Sequence, residues 1–156
     1  IYQHYDGKDE VLVELLEFLL DHFETQMPKP DDGNAHARLL AMIEYVLAPE
    51  PDAERVALTE VMVELRGQAP HNETFEAYFT ANDGRFRREL TDIVERGVEE
   101  GVYRSVDADA VAEFLLTSIS GGTVRRATAG DAVDLAAVRR EIETYLDARL
   151  LRDGAA

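Results

Sequence analysis

Apolar residues recur at intervals of three and four along almost the whole chain, and this spacing is the feature that most constrains its fold. Near the start of the chain they form one broad stripe, which consists of Val11, Leu12, Leu15, Leu16, Leu19, Leu20 and Phe23. Such spacing places apolar side chains on one face of an α-helix. The sequence has no sustained alternation of apolar and polar residues, which a half-buried strand would require. We therefore predict an all-α helical bundle.

Glycine, proline, asparagine and aspartate mark where these helices begin and end. Asp6-Gly7 is a turn signal and Gly7 can serve as a helix cap, so the first long helix is expected to start at Lys8 and to stop before the prolines of 28–30. Asn82-Asp83-Gly84 is a turn signal inside a later helical stretch, where we expect a kink or two shorter helices. Later helix starts are expected at Asp52, Asn72, Asp107 and Asp134, whose side chains can accept hydrogen bonds from first-turn amides.

The stretch from Val102 to Leu151 is predicted to form two long helices joined by a turn at 128–131. We expect both helices to pair with those of a second copy of the chain in a four-helix bundle about a two-fold axis. The alternative is that the same faces pack only inside one protomer. The residues expected at the dimer interface are Ile119, Gly121, Gly122, Arg126, Val138, Ile142, Tyr145, Leu146 and Arg149.

Acidic residues outnumber basic residues two to one, with 32 Asp and Glu against 16 Lys and Arg and a net charge of -16. Only Lys8 and Lys29 are lysines. Such a surface repels nucleic acid and anionic membranes at low salt. It is either a solvated face that keeps the protein soluble or an adaptation to a high-salt cytoplasm, where screening shortens the range of self-repulsion. We favour the second, because lysine depletion accompanies the acid excess.

The sequence contains no pattern typical of an enzyme, a metal site or a bound cofactor. It has no cysteine, which excludes disulfides and thiolate chemistry and favours a cytoplasmic location. Its four histidines are dispersed, with none of the spacings that metal ligands on a helix require. No apolar run approaches the roughly 18–20 residues that span a bilayer. Because the first residue is Ile1, we expect the chain to be part of a longer product.

The first residues resemble the end of the helix-turn-helix domain in TetR-family transcriptional regulators, which has the form Y-x-H-F/Y-x-x-K-x-x-L. Residues 2–11 are Tyr-Gln-His-Tyr-Asp-Gly-Lys-Asp-Glu-Val, with Val11 where leucine is usual. Residues 97–103, Gly-Val-Glu-Glu-Gly-Val-Tyr, are similar to a looser family pattern that precedes the two dimerisation helices. The resemblance implies that residues 1–7 end a DNA-binding domain. Residues 8–156 would then form a ligand-binding and dimerisation domain.

The resemblance also implies which residues contact DNA and ligand. Tyr2, His4 and Lys8 would contact the DNA backbone, and Lys8 would do so from a helix N-terminus, where the dipole also favours phosphate. The helices through Gly101 would enclose a pocket for an unidentified small molecule, although plain core packing is the alternative for each lining residue. The residues expected to bind the ligand are Phe18, His22, Met42, Tyr45, Met62, Arg66, Phe75, Tyr78, Phe79, Phe114 and Thr117.

The function implied by the resemblance is that of a homodimeric, ligand-responsive transcriptional repressor. Binding of the small molecule would shift the first long helix and lower the affinity for operator DNA, which requires a coupling of a few kcal/mol. The alternative is a stand-alone all-α ligand-binding or scaffold dimer that never binds DNA.

The acidic surface leads to a prediction about salt. If the charge excess is an adaptation to high salt, the melting temperature should rise steeply between dilute and molar KCl, because screening weakens the repulsion among carboxylates. Thermal unfolding followed by circular dichroism across this range measures the effect. A melting temperature that stays flat would leave the acidic residues as a solubilising surface only.

Overall fold

The computed structural model of the chain describes residues 2–27 and 33–154, with side chains from Gly7 onward. Within these ranges no strand is present, and Tyr103 and Leu151 form one isolated antiparallel bridge. The predicted all-α class is therefore confirmed. Short 3-10 turns at Ala69–His71 and Gly130–Ala132 follow the third and fifth helices. The described α-helices are α1 (Tyr2–Thr25), α2 (Ala35–Val46), α3 (Ala53–Gln68), α4 (Glu73–Glu99), α5 (Ala108–Ala129) and α6 (Leu135–Arg149).

Helices α2 to α6 each follow an asparagine or aspartate whose side chain accepts a hydrogen bond from the amide three residues on. Each bond satisfies one of the amides that a first helical turn leaves without a backbone partner. The starts predicted at Asp52, Asn72, Asp107 and Asp134 are confirmed. The capping pairs are Asn34 with Ala37 (3.0 Å), Asp52 with Arg55 (2.9 Å), Asn72 with Phe75 (3.1 Å), Asp107 with Ala110 (3.1 Å) and Asp134 with Ala137 (2.9 Å).

The structure contradicts the expected cap at Gly7 and one of the two alternatives expected at Asn82-Asp83-Gly84. Helix α1 runs through Gly7, so this residue does not cap a helix that starts at Lys8, and the expected domain boundary between them falls inside α1. Helix α4 runs without interruption through Gly84, so the stretch is not divided into two shorter helices. A glycine inside a helix costs only about 0.5–1 kcal/mol relative to alanine, and the packing of the helix around it outweighs that cost.

The helices divide into two compact units. In the described part of the chain, the first unit comprises residues 2–27 and 51–84, and the second comprises residues 33–50 and 85–154. Helices α1 and α3 and the first part of α4 therefore form the first unit. Helix α2, the rest of α4, α5 and α6 form the second.

The core of the second unit consists of aliphatic side chains around one buried tyrosine. Tyr103 is only 1 % exposed and follows the end of α4. A Cβ atom added to Gly97 would lie 2.1 Å from the Cδ2 atom of the Tyr103 ring, a distance that real contacts do not reach. The ring therefore packs directly on the α4 backbone. The aliphatic core residues include Leu39, Ile43 and Leu47 of α2, Leu90 and Val94 of α4, Val111 and Leu115 of α5, and Leu146 and Leu150 of the last helix and its cap.

The chain reverses direction after α4, and this turn explains why Gly97 and Gly101 lie four residues apart. The amides of Val102 and Tyr103 both donate to the carbonyl of Gly97, at 3.0 Å each. Gly101 has a φ of +77°, a conformation that residues with a Cβ rarely adopt. Gly97 and Gly101 thus have different roles: the first makes room for the tyrosine ring and the second allows the chain to reverse.

Replacing Gly97 by alanine should destabilise the protein by about 1–3 kcal/mol, because the new methyl group overpacks the Tyr103 ring. Gly67→Ala is the matched control, since Gly67 also lies in a helix and its added Cβ meets nothing within 4 Å. That variant should gain up to about 1 kcal/mol from helix propensity. Denaturant titrations of both variants measure the difference. Equal stabilities would contradict the packing of the ring on the backbone.

Candidate functional site

The first unit contains a buried cluster, called the aromatic cluster below, that includes several residues predicted to bind a ligand. Phe75, Tyr78 and Phe79 of α4 are 1 %, 8 % and 3 % exposed, and Met62 of α3 packs against them half-buried. Rings of Tyr78 and Phe79 meet edge to face, with centroids 5.1 Å apart. The aliphatic members are Leu16 of α1 and Leu58 and Leu65 of α3. The structure thus brings together four of the predicted ligand-binding residues, Met62, Phe75, Tyr78 and Phe79, in a packed core.

Arg66 supplies the charged edge of the aromatic cluster. Its Nη1 and Nη2 atoms donate to the two carboxylate oxygens of Asp83, at 3.1 and 2.7 Å. The guanidinium also lies over the ring of Phe79, 4.5 Å from the centroid. Arg66 and Asp83 are each about one third exposed, so solvent can reach the pair. Arg66 was predicted from the sequence to bind the ligand, whereas Asp83 was identified only as part of a turn signal. An aromatic face beside a carboxylate is an arrangement that binds organic cations, and here the cation is the protein's own.

Phe18 and His22 do not join the aromatic cluster. Both lie on the solvent-exposed side of α1, and Phe18 is 69 % exposed. Leu15 and Val11, one and two turns earlier, are also exposed on this helix. The first helix therefore has two apolar faces, and the sequence stripe could not show which of them packs into the core of the first unit.

The four predicted ligand-binding residues of the second unit have different environments. Met42 is 2 % exposed in the core, and Tyr45 is half-buried on the same helix. Phe114 and Thr117 of α5 are exposed. The ring of Phe114 packs on that of Tyr145 from α6, with centroids 4.6 Å apart. The structure thus places Phe114 beside a residue predicted for the dimer interface, not beside Met42.

The exposed side of α5 and α6 carries aromatic and small residues, and we call it the outer face. It includes Phe114, Thr117 and Gly121, which recur at helical spacing on α5, together with Tyr145 of α6. A Cβ atom added to Gly121 meets nothing within 4 Å, so this glycine leaves its helix backbone accessible. Val138, half-buried, and Arg149, exposed, are the other predicted interface residues on α6 that have accessible surface.

Four of the predicted dimer-interface residues lie inside the second unit. Ile119, Ile142 and Leu146 are 3 %, 4 % and 0 % exposed, and Gly122 is buried against the side chain of Leu135. These four residues pack inside their own protomer, which is the alternative stated for the dimer interface. They cannot supply accessible area to a partner, because their own chain already covers them.

Arg126, also predicted for the dimer interface, binds the backbone of its own chain. Its Nη1 atom donates to the carbonyl of Ala48 at 2.7 Å, and its Nη2 atom donates to the carbonyl of Pro49. These carbonyls follow the end of α2, where a cation offsets the negative end of the helix dipole. Arg126 therefore fixes the connection after α2.

The predicted DNA-contacting residues are only partly described. The side chains of Tyr2 and His4 lie outside the described residues. Lys8 is exposed on α1, but it lies six positions after Tyr2, where that helix begins. The expectation that Lys8 sits at a helix N-terminus is wrong, so its attraction for phosphate would come from its charge alone.

Two surface clefts in the second unit have charged linings. One, of about 420 Å³, is lined by Arg87, Arg88, Thr91, Asp92, Asp109 and Glu113. The other, of about 520 Å³, is lined by Gly101, Arg104, Arg152, Asp153 and Gly154. Neither contains a predicted ligand-binding residue, and both differ from the mostly apolar pockets that bind organic ligands.

Among residues 2–27 and 33–154, no group of three or more potential metal ligands is close enough to hold an ion. No helix there combines the length and the apolar character that crossing a membrane requires.

Comparison with known proteins gives one family match. The sequence model described as "BetI-type transcriptional repressor, C-terminal" matches residues 35–151. A search among curated protein sequences gives no match.

Solved structures provide similar folds. A TetR transcription regulator from Haloarcula marismortui is 31 % identical, with a TM-score of 0.81 over 96 % of this chain and 83 % of that one. A protein from Saccharomonospora viridis in complex with choline is 18 % identical, with a TM-score of 0.75 over 97 % of this chain and 79 % of that one. A TetR-family regulator from a Rhodococcus species is 19 % identical, with a TM-score of 0.77 over 94 % and 77 % of the two chains. At these lower identities the last two establish the likeness of fold alone.

Proposed function

Because the chain belongs to the TetR family of transcriptional regulators, which are not enzymes, we propose that it is the ligand-responsive and dimerising part of a cytoplasmic repressor. The repressor binds operator DNA as a homodimer and leaves it when a small molecule binds. The observation that carries this proposal is the match of residues 35–151 to the C-terminal domain of BetI-type repressors. The acidic composition, together with a relative from Haloarcula marismortui, supports a high-salt cytoplasm as its setting.

The outer face of α5 and α6 is the surface we propose for dimerisation. Phe114 is 48 % exposed although it is a large aromatic residue, and it packs on Tyr145 at the same surface. Thr117 and Gly121 lie one and two turns beyond Phe114 on α5 and would let a partner helix approach closely. A two-fold axis through this face would place the same patch of each protomer against the other, which is the usual geometry of a homodimer. Burying the aromatic pair would then add to the affinity of the two chains.

We expect Phe114→Glu to convert the dimer into monomers, because it places a charge on the outer face, where the proposed partner would bury it. Val61→Glu is the matched control: Val61 is 42 % exposed on α3, so the same change is made at an exposed apolar residue of the first unit. Sedimentation velocity in molar KCl measures both variants. A Phe114→Glu variant that remains dimeric would show that another surface holds the dimer. Ile142→Asp is not a useful test, because Ile142 is buried in its own protomer.

The aromatic cluster and Arg66 are the part of the first unit that we propose to respond to the ligand. Asp83 and the face of Phe79 together hold the Arg66 guanidinium, and an organic cation could compete for the same two partners. The choline bound in the Saccharomonospora viridis protein makes choline the first compound to test.

Genomic selection with the complete gene product in molar KCl tests DNA binding. We expect the protein to enrich a discrete operator and choline to lower its affinity for that DNA, measured by fluorescence anisotropy. The control compound is the neutral isostere of choline, in which carbon replaces the quaternary nitrogen, and it should have little effect. An Asp83→Asn variant should respond less to choline, because it loses the charge that would hold the cation.

The outcomes of this experiment separate the proposal from its alternative. If no DNA is enriched, the protein is better explained as a stand-alone ligand-binding or scaffold dimer. If DNA is bound but choline and its isostere act equally, the repressor proposal stands and the cationic ligand is wrong.

A further inference from the structure

His36 lies in the first turn of α2, belongs to neither the outer face nor the aromatic cluster, and contacts two other segments of the second unit. Its Nδ1 atom is 2.9 Å from the hydroxyl oxygen of Tyr103, which precedes α5. Its Nε2 atom is 4.0 Å from a carboxylate oxygen of Asp147, near the end of α6. The His36 side chain is only 13 % exposed, and its ring meets the Tyr103 ring edge to face. One imidazole thus links α2, the α4–α5 connection and α6.

The protons in this cluster can be assigned from the environment of Tyr103. Burial raises the pKa of the Tyr103 hydroxyl above its ordinary value, and the carboxylates of Glu100 and Asp147 raise it further. The hydroxyl therefore keeps its proton. Because the Asp147 carboxylate can only accept, it favours a neutral His36 ring that holds its proton on Nε2 and accepts a hydrogen bond from the Tyr103 hydroxyl at Nδ1. A neutral imidazole that accepts at Nδ1 carries its proton on Nε2, which faces Asp147.

Tyr103 also belongs to a backbone contact with the C-terminal segment. It forms an antiparallel bridge with Leu151. On either side of this bridge, the amide of Arg104 donates to Leu150 at 2.7 Å and the amide of Arg152 donates to Val102 at 3.1 Å. The hydroxyl end of Tyr103 is thus held by His36, and its backbone is held to the residues that follow α6.

Protonation of His36 would remove the acceptor on which the Tyr103 hydroxyl depends. Burial lowers the pKa of His36, and the facing carboxylate of Asp147 offsets only part of this effect. The positive end of the α2 dipole also disfavours an imidazolium in the first turn. Glu100, whose carboxylate acts on Tyr103, accepts a hydrogen bond from the Ala35 amide at 3.1 Å. The neutral form is therefore the one that the folded unit stabilises.

We propose that His36, Tyr103 and Asp147 form a pH-sensitive latch that ties the α4–α5 connection and the segment after α6 to α2 while His36 is neutral. When His36 takes up a proton, the Tyr103 hydroxyl loses its acceptor, and the pairing of 102–104 with 150–152 loosens.

The direction of the pH effect follows from linkage. An unfolded histidine titrates near 6.5, above the lowered pKa of folded His36. As the pH falls through 6.5, the unfolded or open state takes up a proton that the closed state resists, so stability is lost. The loss is complete only below the pKa of the folded form. The latch therefore closes above the ordinary histidine pKa and weakens in mildly acidic solution.

Hydrogen exchange of the Arg104 and Arg152 amides at about pH 7.5 and about pH 5.5, on either side of the ordinary histidine pKa, tests the latch. In the unaltered chain, protection corrected for intrinsic exchange should fall severalfold on acidification. In His36→Gln the fall should disappear, because the glutamine amide oxygen can accept from Tyr103 and does not titrate. His71→Gln, at an exposed histidine of the first unit, is the control and should behave like the unaltered chain.

Two further measurements keep the test decisive if His36→Gln folds poorly. The ring resonances of His36 in the unaltered chain should titrate below 6.5. In Tyr103→Phe, which keeps the ring on Gly97 but removes the hydroxyl bonded to His36, the protection of the two amides at about pH 7.5 should already fall severalfold below that of the unaltered chain. Equal pH dependence in the unaltered chain and His36→Gln would overturn the latch. A His36 titration at or above 6.5 would overturn it as well.

Discussion

The second unit depends on the contact between the Tyr103 ring and the backbone of α4 at Gly97. The ring occupies the space in which any other residue at position 97 would have its Cβ. The ring thereby fixes where the chain goes after α4, and that direction determines where α5 can start at its Asp107 cap. The same tyrosine pairs through its backbone with Leu151, so the segment after α6 is placed by this contact too. Dimerisation through α5 and α6, as proposed, would rest on the rigidity that this packing gives to both helices.

Local features of the fold could be predicted from the sequence, because their cause lies within a few residues. Asp52, Asn72, Asp107 and Asp134 start helices through bonds to amides only three positions away, so the sequence contains both partners. Glycines gave the opposite outcome. At Gly84 the sequence predicted a kink or two shorter helices, and the second alternative is wrong. The penalty for a helical glycine is about 1 kcal/mol, and the tertiary packing of α4, which the local sequence does not show, outweighs it.

The candidate sites were harder to predict, because helical spacing identifies apolar faces but not what covers them. Ile119 and Phe114 are both apolar residues of α5, yet Ile119 is 3 % exposed and Phe114 is 48 % exposed. Contacts between residues far apart in the sequence could not be predicted for the same reason. Arg66 finds Asp83 across 17 positions, and His36 finds Tyr103 across 67. No pattern within either segment indicates its partner, so the sequence could name Arg66 as a polar group of interest but could not say what it binds.

The basic residues are almost all arginine, and the excess of acidic residues alone does not explain this preference. Arginine supplies all but two of the 16 basic residues, and several arginines make contacts that depend on the shape of the guanidinium. Arg66 binds both oxygens of Asp83 while it stacks on Phe79, and Arg126 reaches two successive carbonyls. Arg104 binds the carbonyl of Ala148 at 2.5 Å from the loop before α5. A lysine ammonium is a compact charge that can neither stack flat nor bind two oxygens in a fork. If selection in high salt removed basic residues from this surface, arginines with such contacts would be the ones whose loss the fold tolerates least.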